Sequence, residues 1–299
     1  MKPIIKWVGG KTQLLNILIE KMQLDTVDYS NATYIEPFIG GGALFLHIVE
    51  RDMFKSYIIN DINTRLINIY NTVKYDVDGL IQELDYLKNL YLNLNEEDRS
   101  ILYYEKRKRF NEITITDYNI ESASLFIFLN KTCFNGLYRE NKSGGFNAAF
   151  GKYESPAFFC ESDLRKLSAI LNTKDIKILN GSYEEFEQDI PDNSFVYLDP
   201  PYRPITKGGF TNYNKSNFND DAQIELKNYC DRLHDRDIPF LLSNSDSKML
   251  DPNDNFFDEL YKDYAIERVQ ASRLVNCDKA KRGAINEILI YSSPGKKGD

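Results

Sequence analysis

The chain has 299 residues, of which 42% are hydrophobic and 27% charged, and its formal net charge is −8 at pH 7. These proportions are ordinary for a soluble globular protein of one large domain or two. No apolar run is long enough for a membrane span or a secretion signal, so we expect a cytoplasmic protein without membrane contact. Two histidines and four cysteines, with no Cys-x-x-Cys spacing, exclude a three-histidine metal site and make a zinc site improbable, and we predict no metal.

The first motif is Gly-Gly-Lys-Thr, within KWVGGKTQLL at residues 6–15. A nucleotide-triphosphate loop also needs a glycine five residues before its final Gly-Lys pair, so that successive backbone N–H groups can wrap the phosphates. Ile5 stands there instead, and the first five residues leave little room for a preceding strand. The sequence therefore disfavours a phosphate loop.

From Thr33 onward, short β-rich runs alternate with helical stretches. TYIEPF and SYIINDIN have the pattern of strands, and ALFLHIVERD and TRLINIYNTV have the pattern of the helices that follow them. Further strands are predicted in IKILNGS, SFVYLDPPY, PFLLSNS, YAIERVQA and NEILIYSS. This alternation predicts an α/β fold, with a largely parallel Rossmann-like sheet and helices on both faces.

The middle of the chain has a different pattern. Apolar residues recur at helical spacing from about residue 76 to residue 130, and KTCFNGLYRENKSGGFNAAFGKY follows, with Ser-Gly-Gly as a hairpin signal. Residues 131–152 hold four basic side chains against one acid, although the net charge of the chain is negative. We predict that residues 76–162 form an inserted helical and β-hairpin subdomain, and that residues 1–75 and 163–299 form the main domain.

Two features at strand ends indicate a nucleotide-like ligand. In YIEPFIGGGALFL, a strand ends near Glu36 and a turn at Gly40–Gly42 opens a helix whose free N–H groups face a ligand. The glycines depart from G-x-G-x-x-G, so a dinucleotide is not specifically indicated. Asp61 ends the next strand, where such folds place a carboxylate that binds ribose hydroxyls. The alternative for Asp61 is a helix N-cap, unless Asn63 or Thr64 takes that role.

The most specific motif is FVYLDPPYRP. Its strand delivers Asp199 to the carboxyl edge of the sheet, and two prolines stiffen the exit. A carboxylate and the Pro200 carbonyl can each accept one hydrogen of an exocyclic amine, which localises the nitrogen lone pair for attack on a methyl group. Tyr202 can stack on a base held outside its helix. Standing alone, the motif would be a structural Asp-Pro-Pro turn.

In combination the motifs resemble a known family. K-W-x-G-G-K, E-P-F-x-G-G-G-A-L-F, N-K-T-C-F-N-G-L-Y-R with F-N-x-x-F-G-K-Y, and D-P-P-Y occur in this order over most of the chain. They resemble the Dam-type DNA adenine-N6 methyltransferases of the D12 class, alpha group. The resemblance implies site-specific methyl transfer from S-adenosylmethionine to N6 of an extruded adenine in double-stranded DNA. It also implies cofactor contacts by Trp7, Lys11, Glu36, Phe38, Gly40, Gly42, Asp61 and Asp199.

The same resemblance implies a DNA-reading element in the hairpin segment. Arg139 would read a guanine through a bidentate contact. Many members have Val-Pro where this chain has Ala148-Ala149, so the reading of the outer bases is left open. Members of the family commonly recognise the site GATC, and whether this chain recognises GATC or another short site is also left open. Ser243-Asn244 would follow a strand near the site, and the Arg273–Arg282 loop would contact phosphate or be an exposed basic loop. The remaining implied DNA contacts are Lys6, Asn135, Leu137, Tyr138 and Tyr153.

Other functions compete with this one. A close alternative is an N-methyltransferase that acts on RNA or on a protein amide, although amide enzymes typically have Asn as the first residue of D-P-P-Y. A dinucleotide oxidoreductase would need the absent G-x-G-x-x-G, and a non-catalytic DNA-specificity module would have no use for Asp199. A restriction endonuclease of the same system would be a functional partner without physical contact.

Overall fold

The structure is a computed structural model that describes residues 1–7, 9–23, 27–203, 218–249, 251–272 and 284–292. Within these ranges the strands are β1 Thr33–Glu36, β2 Ser56–Asp61, β3 Asp175–Asn180, β4 Ser194–Leu198, β5 Phe240–Ser245, β6 Ala265–Ser272 and β7 Ala284–Tyr291. All seven predicted strands are therefore confirmed.

The strands form one mixed sheet in the order β3-β2-β1-β4-β5-β7-β6. β4 pairs in parallel with β1 and with β5, whereas β7 runs antiparallel to both β5 and β6. Every residue of β1, β4 and β5 is buried, as expected for central strands of an α/β sheet. The predicted α/β class is confirmed, and the antiparallel pairs lie at the β7–β6 end of the sheet.

The described helices are α1 Leu15–Lys21, α2 Ala43–Glu50, α3 Thr64–Tyr75, α4 Val77–Leu92, α5 Glu96–Glu112, α6 Ile120–Thr132, α7 Glu161–Thr173, α8 Asp220–Asp235 and α9 Phe256–Leu260. Asparagine and aspartate side chains set where five of these helices begin, because each accepts a hydrogen bond from a backbone N–H in the first turn. The capping residues are Asn63 for α3, Asp76 for α4, Asn95 for α5, Asn119 for α6 and Asn219 for α8. No helix among the described residues is long and apolar enough to cross a membrane.

The chain divides into two compact units. The first comprises Met1–Thr12, Ile39–Asp52 and Ile59–Gly181. The second comprises Gln13–Phe38, Met53–Ile58 and Ser182–Asp299. The boundaries that we predicted for an inserted subdomain remain a prediction.

The segment predicted as a hairpin has its turn but no regular strands. Isolated antiparallel bridges join Cys133 to Phe150 and Glu140 to Phe146. Asn141 closes the turn, because its side-chain oxygen accepts hydrogen bonds from Ser143 and from the N–H of Gly145. Asn135 has φ 60° and Gly136 has φ 66°, and left-handed residues cannot continue an extended strand.

Candidate active site

In the first unit, Asp61 holds the glycine-rich turn. One carboxylate oxygen accepts a hydrogen bond from the N–H of Gly40 at 3.1 Å, and the other accepts from the N–H of Asn63 at 2.9 Å. Burial raises the pKa of Asp61, against the lowering effect of these backbone donors. Asn63 is the residue that caps α3, so the helix N-cap does not account for Asp61.

Trp7 also packs against that turn. A Cβ atom at Gly40, where φ is +47°, would lie 2.7 Å from Trp7 Cδ1, so only glycine fits this position. A face of the indole stacks on Tyr138, with ring centroids 5.4 Å apart and an interplanar angle of 26°. Lys11 is 4% exposed, and its ammonium donates to the Gly9 carbonyl at 2.6 Å. Trp7 thus joins the glycine turn to the hairpin segment.

Asn130, at the end of α6, fastens Lys6 to the hairpin segment. Its side-chain oxygen accepts from the N–H of Lys6, and its amide donates to the carbonyls of Lys6 and Gly136. The Lys6 side chain then extends toward Tyr153, with its ammonium 5.9 Å from the ring centroid. Tyr153 in turn accepts a hydrogen bond from the N–H of Asn135 at 3.2 Å. The structure therefore brings together three of the predicted DNA contacts, Lys6, Asn135 and Tyr153.

Arg139, the predicted guanine reader, is exposed and already oriented. Its Nε donates to the side-chain oxygen of Asn147 at 2.7 Å, and its Nη2 donates to the Asn147 carbonyl at 3.1 Å. Tyr138 and Leu137 are half-buried beside it, and the Tyr138 hydroxyl donates to Glu140. Arg273–Arg282, where a phosphate contact was predicted, lies outside the described residues.

In the second unit, Asp199 stands at the carboxyl end of β4, where it was predicted. One of its oxygens accepts a hydrogen bond from Ser243 Oγ at 3.0 Å, and that hydroxyl lies 3.0 Å from the hydroxyl of Tyr197. Asp199 is half-buried and Pro200 is buried. The Ser243 contact restrains the carboxylate without removing it from solvent.

Tyr202 is held by its hydroxyl, which donates to Glu287 Oε2 on β7 at 2.6 Å. Burial, followed by the negative charges of Asp199 and Glu287, raises the pKa of Tyr202 well above its ordinary value. The phenol is therefore neutral at physiological pH and can serve as a hydrogen-bond donor.

Glu36 is the last residue of β1, and Phe38 lies two residues beyond it. Glu36 is buried and accepts a hydrogen bond from the Tyr34 hydroxyl at 2.6 Å, while burial, and after it the Glu36 charge, raises the pKa of Tyr34. Phe38 is half-buried and packs against the rings of Tyr183 and Phe218. Phe38 therefore presents a partly accessible aromatic surface at this strand end.

Two exposed apolar residues were not singled out from the sequence. Ile62, directly after Asp61, is 75% exposed, and Phe134, directly before Asn135, is 48% exposed. Their signal was available, since each interrupts a polar stretch beside a motif residue. Single exposed apolar side chains are common on protein surfaces, and these two are of interest because each adjoins a predicted site residue.

A glycine-rich turn and an Asp-Pro-Pro-Tyr turn, each after a strand of a mixed sheet, define the class as a Rossmann-like methyltransferase. A family model described as D12 class N6 adenine-specific DNA methyltransferase matches residues 7–275. The chain belongs to this family, as the motifs predicted, and its reaction is methyl transfer to adenine N6 in DNA.

Curated relatives agree over nearly their whole lengths. Type II methyltransferase M.MjaIII of Methanocaldococcus jannaschii is 43% identical over 98% of this chain and 99% of that protein. Type II methyltransferase M1.LlaDCHI of Lactococcus lactis subsp. cremoris is 32% identical over 97% of this chain and 95% of that protein. DNA adenine methylase of Escherichia coli (strain K12) is 30% identical over 98% of this chain and 96% of that protein. DNA is thus the substrate class, and the RNA, protein-amide, oxidoreductase and non-catalytic alternatives are disfavoured.

Proposed function

We propose that S-adenosylmethionine binds at the glycine-rich turn of the first unit. The residues present suit such a ligand: Asp61 offers a carboxylate for ribose hydroxyls, and the exposed Ile62 offers an apolar face for the adenine ring. Gly40 lets the turn pack closely against the indole of Trp7, which keeps the turn in place. The bound cofactor supplies an electrophilic methyl group on a sulfonium sulfur. Lys11, Glu36, Phe38, Gly42 and Asp199 are the remaining proposed contacts.

The chemical step depends on how the Asp-Pro-Pro-Tyr turn holds the target amine. Asp199 and the Pro200 carbonyl would each accept one amine hydrogen, which concentrates the lone pair on the side facing the methyl group. The observation that supports this role is the restrained, half-buried carboxylate of Asp199 at the end of β4. The orientation of the amine and the methyl group, together with fixed dipoles around the reacting atoms, accounts for much of the rate enhancement in this proposal. Tyr202 would stack on the extruded adenine.

The DNA-reading element lies in the first unit. Arg139 would pair bidentately with a guanine, and Lys6, Tyr153, Asn135, Leu137 and Tyr138 would line the DNA backbone and the gap left by the adenine. Phe134 is the apolar side chain we assign to that gap, because it is exposed and adjoins the left-handed turn at Asn135. We further propose a restriction endonuclease as a functional partner, and activity in the cytoplasm.

Labelled methyl transfer to plasmid DNA, followed by single-molecule sequencing, tests the proposal. We expect N6-methyladenine in every copy of one short site, and the sequenced site decides between GATC and another sequence. Labelling of RNA or protein with unmodified DNA would overturn the proposal. Protection of the mapped site from an endonuclease of the same specificity tests the partner.

A further inference from the structure

Two buried amide side chains bridge the peptide groups on either side of Tyr202. Gln223 on α8 and Asn244 on β5 are both 0% exposed. Gln223 Nε2 donates to the Pro201 carbonyl, and Asn244 Nδ2 donates to Gln223 Oε1, each at 3.1 Å. Asn244 Oδ1 accepts the N–H of Arg203, also at 3.1 Å. The chain of bonds therefore runs from the carbonyl before Tyr202 to the N–H after it.

Such a bridge costs free energy unless every polar atom is paired. Moving an amide out of water without hydrogen bonds costs about 2–7 kcal/mol, so packing alone would favour apolar side chains at both positions. A satisfied buried polar network instead makes one arrangement unique, since any other leaves a donor or an acceptor unpaired. The bridge thus specifies the geometry of the turn more than it stabilises the fold.

The far end of Tyr202 is held independently. Its hydroxyl donates to Glu287 on β7, and the neutral phenol keeps that hydrogen bond across the physiological range. The next residue is also fixed, because the Arg203 guanidinium pairs with Asp220 and Asp254. Backbone and hydroxyl together leave the ring little freedom to tilt.

We propose that Gln223, Asn244 and Glu287 are positioning residues, which set the plane of the Tyr202 ring for the target base before DNA binds. This inference rests on the proposed function, in which Tyr202 stacks on the extruded adenine. A ring ordered in advance lowers the entropic cost of fixing the amine against the methyl group. Losing the bridge therefore slows the chemical step more than it weakens DNA or cofactor binding.

Asn244→Leu is the first test, with Asn68→Leu as its matched control. Asn68 is also buried, its side chain exchanges two hydrogen bonds with the backbone of Asn119, and neither residue is a proposed site residue. We expect comparable losses of urea stability in both variants. Only Asn244→Leu should lower the rate constant of methyl transfer in single-turnover experiments, by about tenfold or more, with the steady-state KM for DNA changed less than twofold. An unchanged single-turnover rate constant in Asn244→Leu, or an equal loss of that rate constant in Asn68→Leu, overturns the inference.

Gln223→Glu and Gln223→Met keep the inference testable if Asn244→Leu does not fold. A protonated carboxyl can again donate to the Pro201 carbonyl, whereas Met cannot at any pH. We therefore expect the activity of Gln223→Glu, relative to wild type, to rise as the pH falls, and that of Gln223→Met to stay low. Identical pH profiles would contradict the bridge. Wild-type protein that leaves DNA unmethylated would refute the proposed function instead, so the two failures are distinguishable.

Discussion

Asp61 and Asp199 show how the same side chain acquires different tasks from its neighbours. Both carboxylate oxygens of Asp61 accept hydrogen bonds from backbone N–H groups, and burial raises the pKa of Asp61. Asp199 accepts a hydrogen bond from the Ser243 hydroxyl and is half-buried. The first arrangement fixes the turn at which we propose that the cofactor binds, and the second leaves the half-buried carboxylate that the proposed mechanism needs.

At the scale of single residues, Arg139 gives the sharpest prediction about specificity. Its bonds to Asn147 present a pre-oriented guanidinium, so Arg139→Ala should cost about 1–3 kcal/mol at one base pair and relax preference there. Methylation rates on substrates with each base changed in turn measure this effect. Lys142→Ala is the control. This lysine is exposed in the same segment, and its loss should weaken binding to all DNA sequences alike. An unchanged preference in Arg139→Ala would remove it from base reading.

Residue positions were only partly predictable from the sequence. Asp61 and Asp199 were placed correctly, because each stands at the carboxyl end of an apolar strand. Asn147 and Gln223 were not singled out, because their contacts depend on partners brought close by folding. Nothing in the local pattern around Gln223 distinguishes it from an ordinary first-turn helix residue.

At the scale of elements, the turn between β1 and α2 depends on glycine for two separate reasons. Gly40→Ala adds a side chain at a positive φ and also drives a Cβ into the Trp7 indole. Gly144→Ala is the matched control, since its φ is +78° but nothing lies within 4 Å of the added atom. We expect both variants to lose about 1–3 kcal/mol through backbone strain. Only Gly40→Ala should lose further stability and cofactor affinity.

Urea unfolding and cofactor titration measure the two effects. Trp7 is the only tryptophan of the chain, so its fluorescence reports directly on the turn. Equal losses in the two variants, with cofactor affinity unchanged, would show that the packing of Trp7 on Gly40 does not matter for the site.

Lys131, in the last turn of α6, leads us to expect that DNA binding depends on pH. Burial, and after it the nearby charge of Lys6, lowers the pKa of Lys131 to about 8. DNA phosphate would favour the charged form, so affinity should fall as the pH rises from 7 to 9. Anisotropy titrations at constant ionic strength measure this, and Lys131→Arg should flatten the dependence because arginine stays charged. An equally steep fall in Lys131→Arg would assign it to another group.

The lowered pKa of Lys131 affects stability in the opposite direction, because stability should rise with pH while DNA affinity falls. Between pH 8 and pH 10.5 the unfolded chain holds the Lys131 proton that the folded protein has released. More protons bound to the unfolded state means that the contribution of Lys131 to stability rises with pH in this window. Weaker DNA binding at high pH therefore does not reflect unfolding through this residue.

For the whole molecule, the sheet was predictable and the fine structure of the hairpin segment was not. β4 contains the apolar run Phe195–Leu198 and β5 begins with the apolar run Phe240–Leu242, so the signal for both strands is local. The hairpin segment has left-handed residues at Asn135 and Gly136, and the packing of Lys6 beneath Gly136 explains the latter, since an added Cβ would lie 2.5 Å from Lys6 Cδ. That contact joins residues far apart in sequence, which no local pattern reveals.

The central claim is that Asp199 orients the target amine, and single-turnover methyl transfer by Asp199→Ala tests it most directly. The rate on DNA carrying the mapped site should fall by at least about 10²–10³, the range for losing one preorganised group. Cofactor affinity, followed by Trp7 fluorescence, should fall far less than the rate, and the urea midpoint should stay close to wild type. A variant that folds, binds cofactor and still methylates adenine within tenfold of the wild-type rate would contradict this role for Asp199.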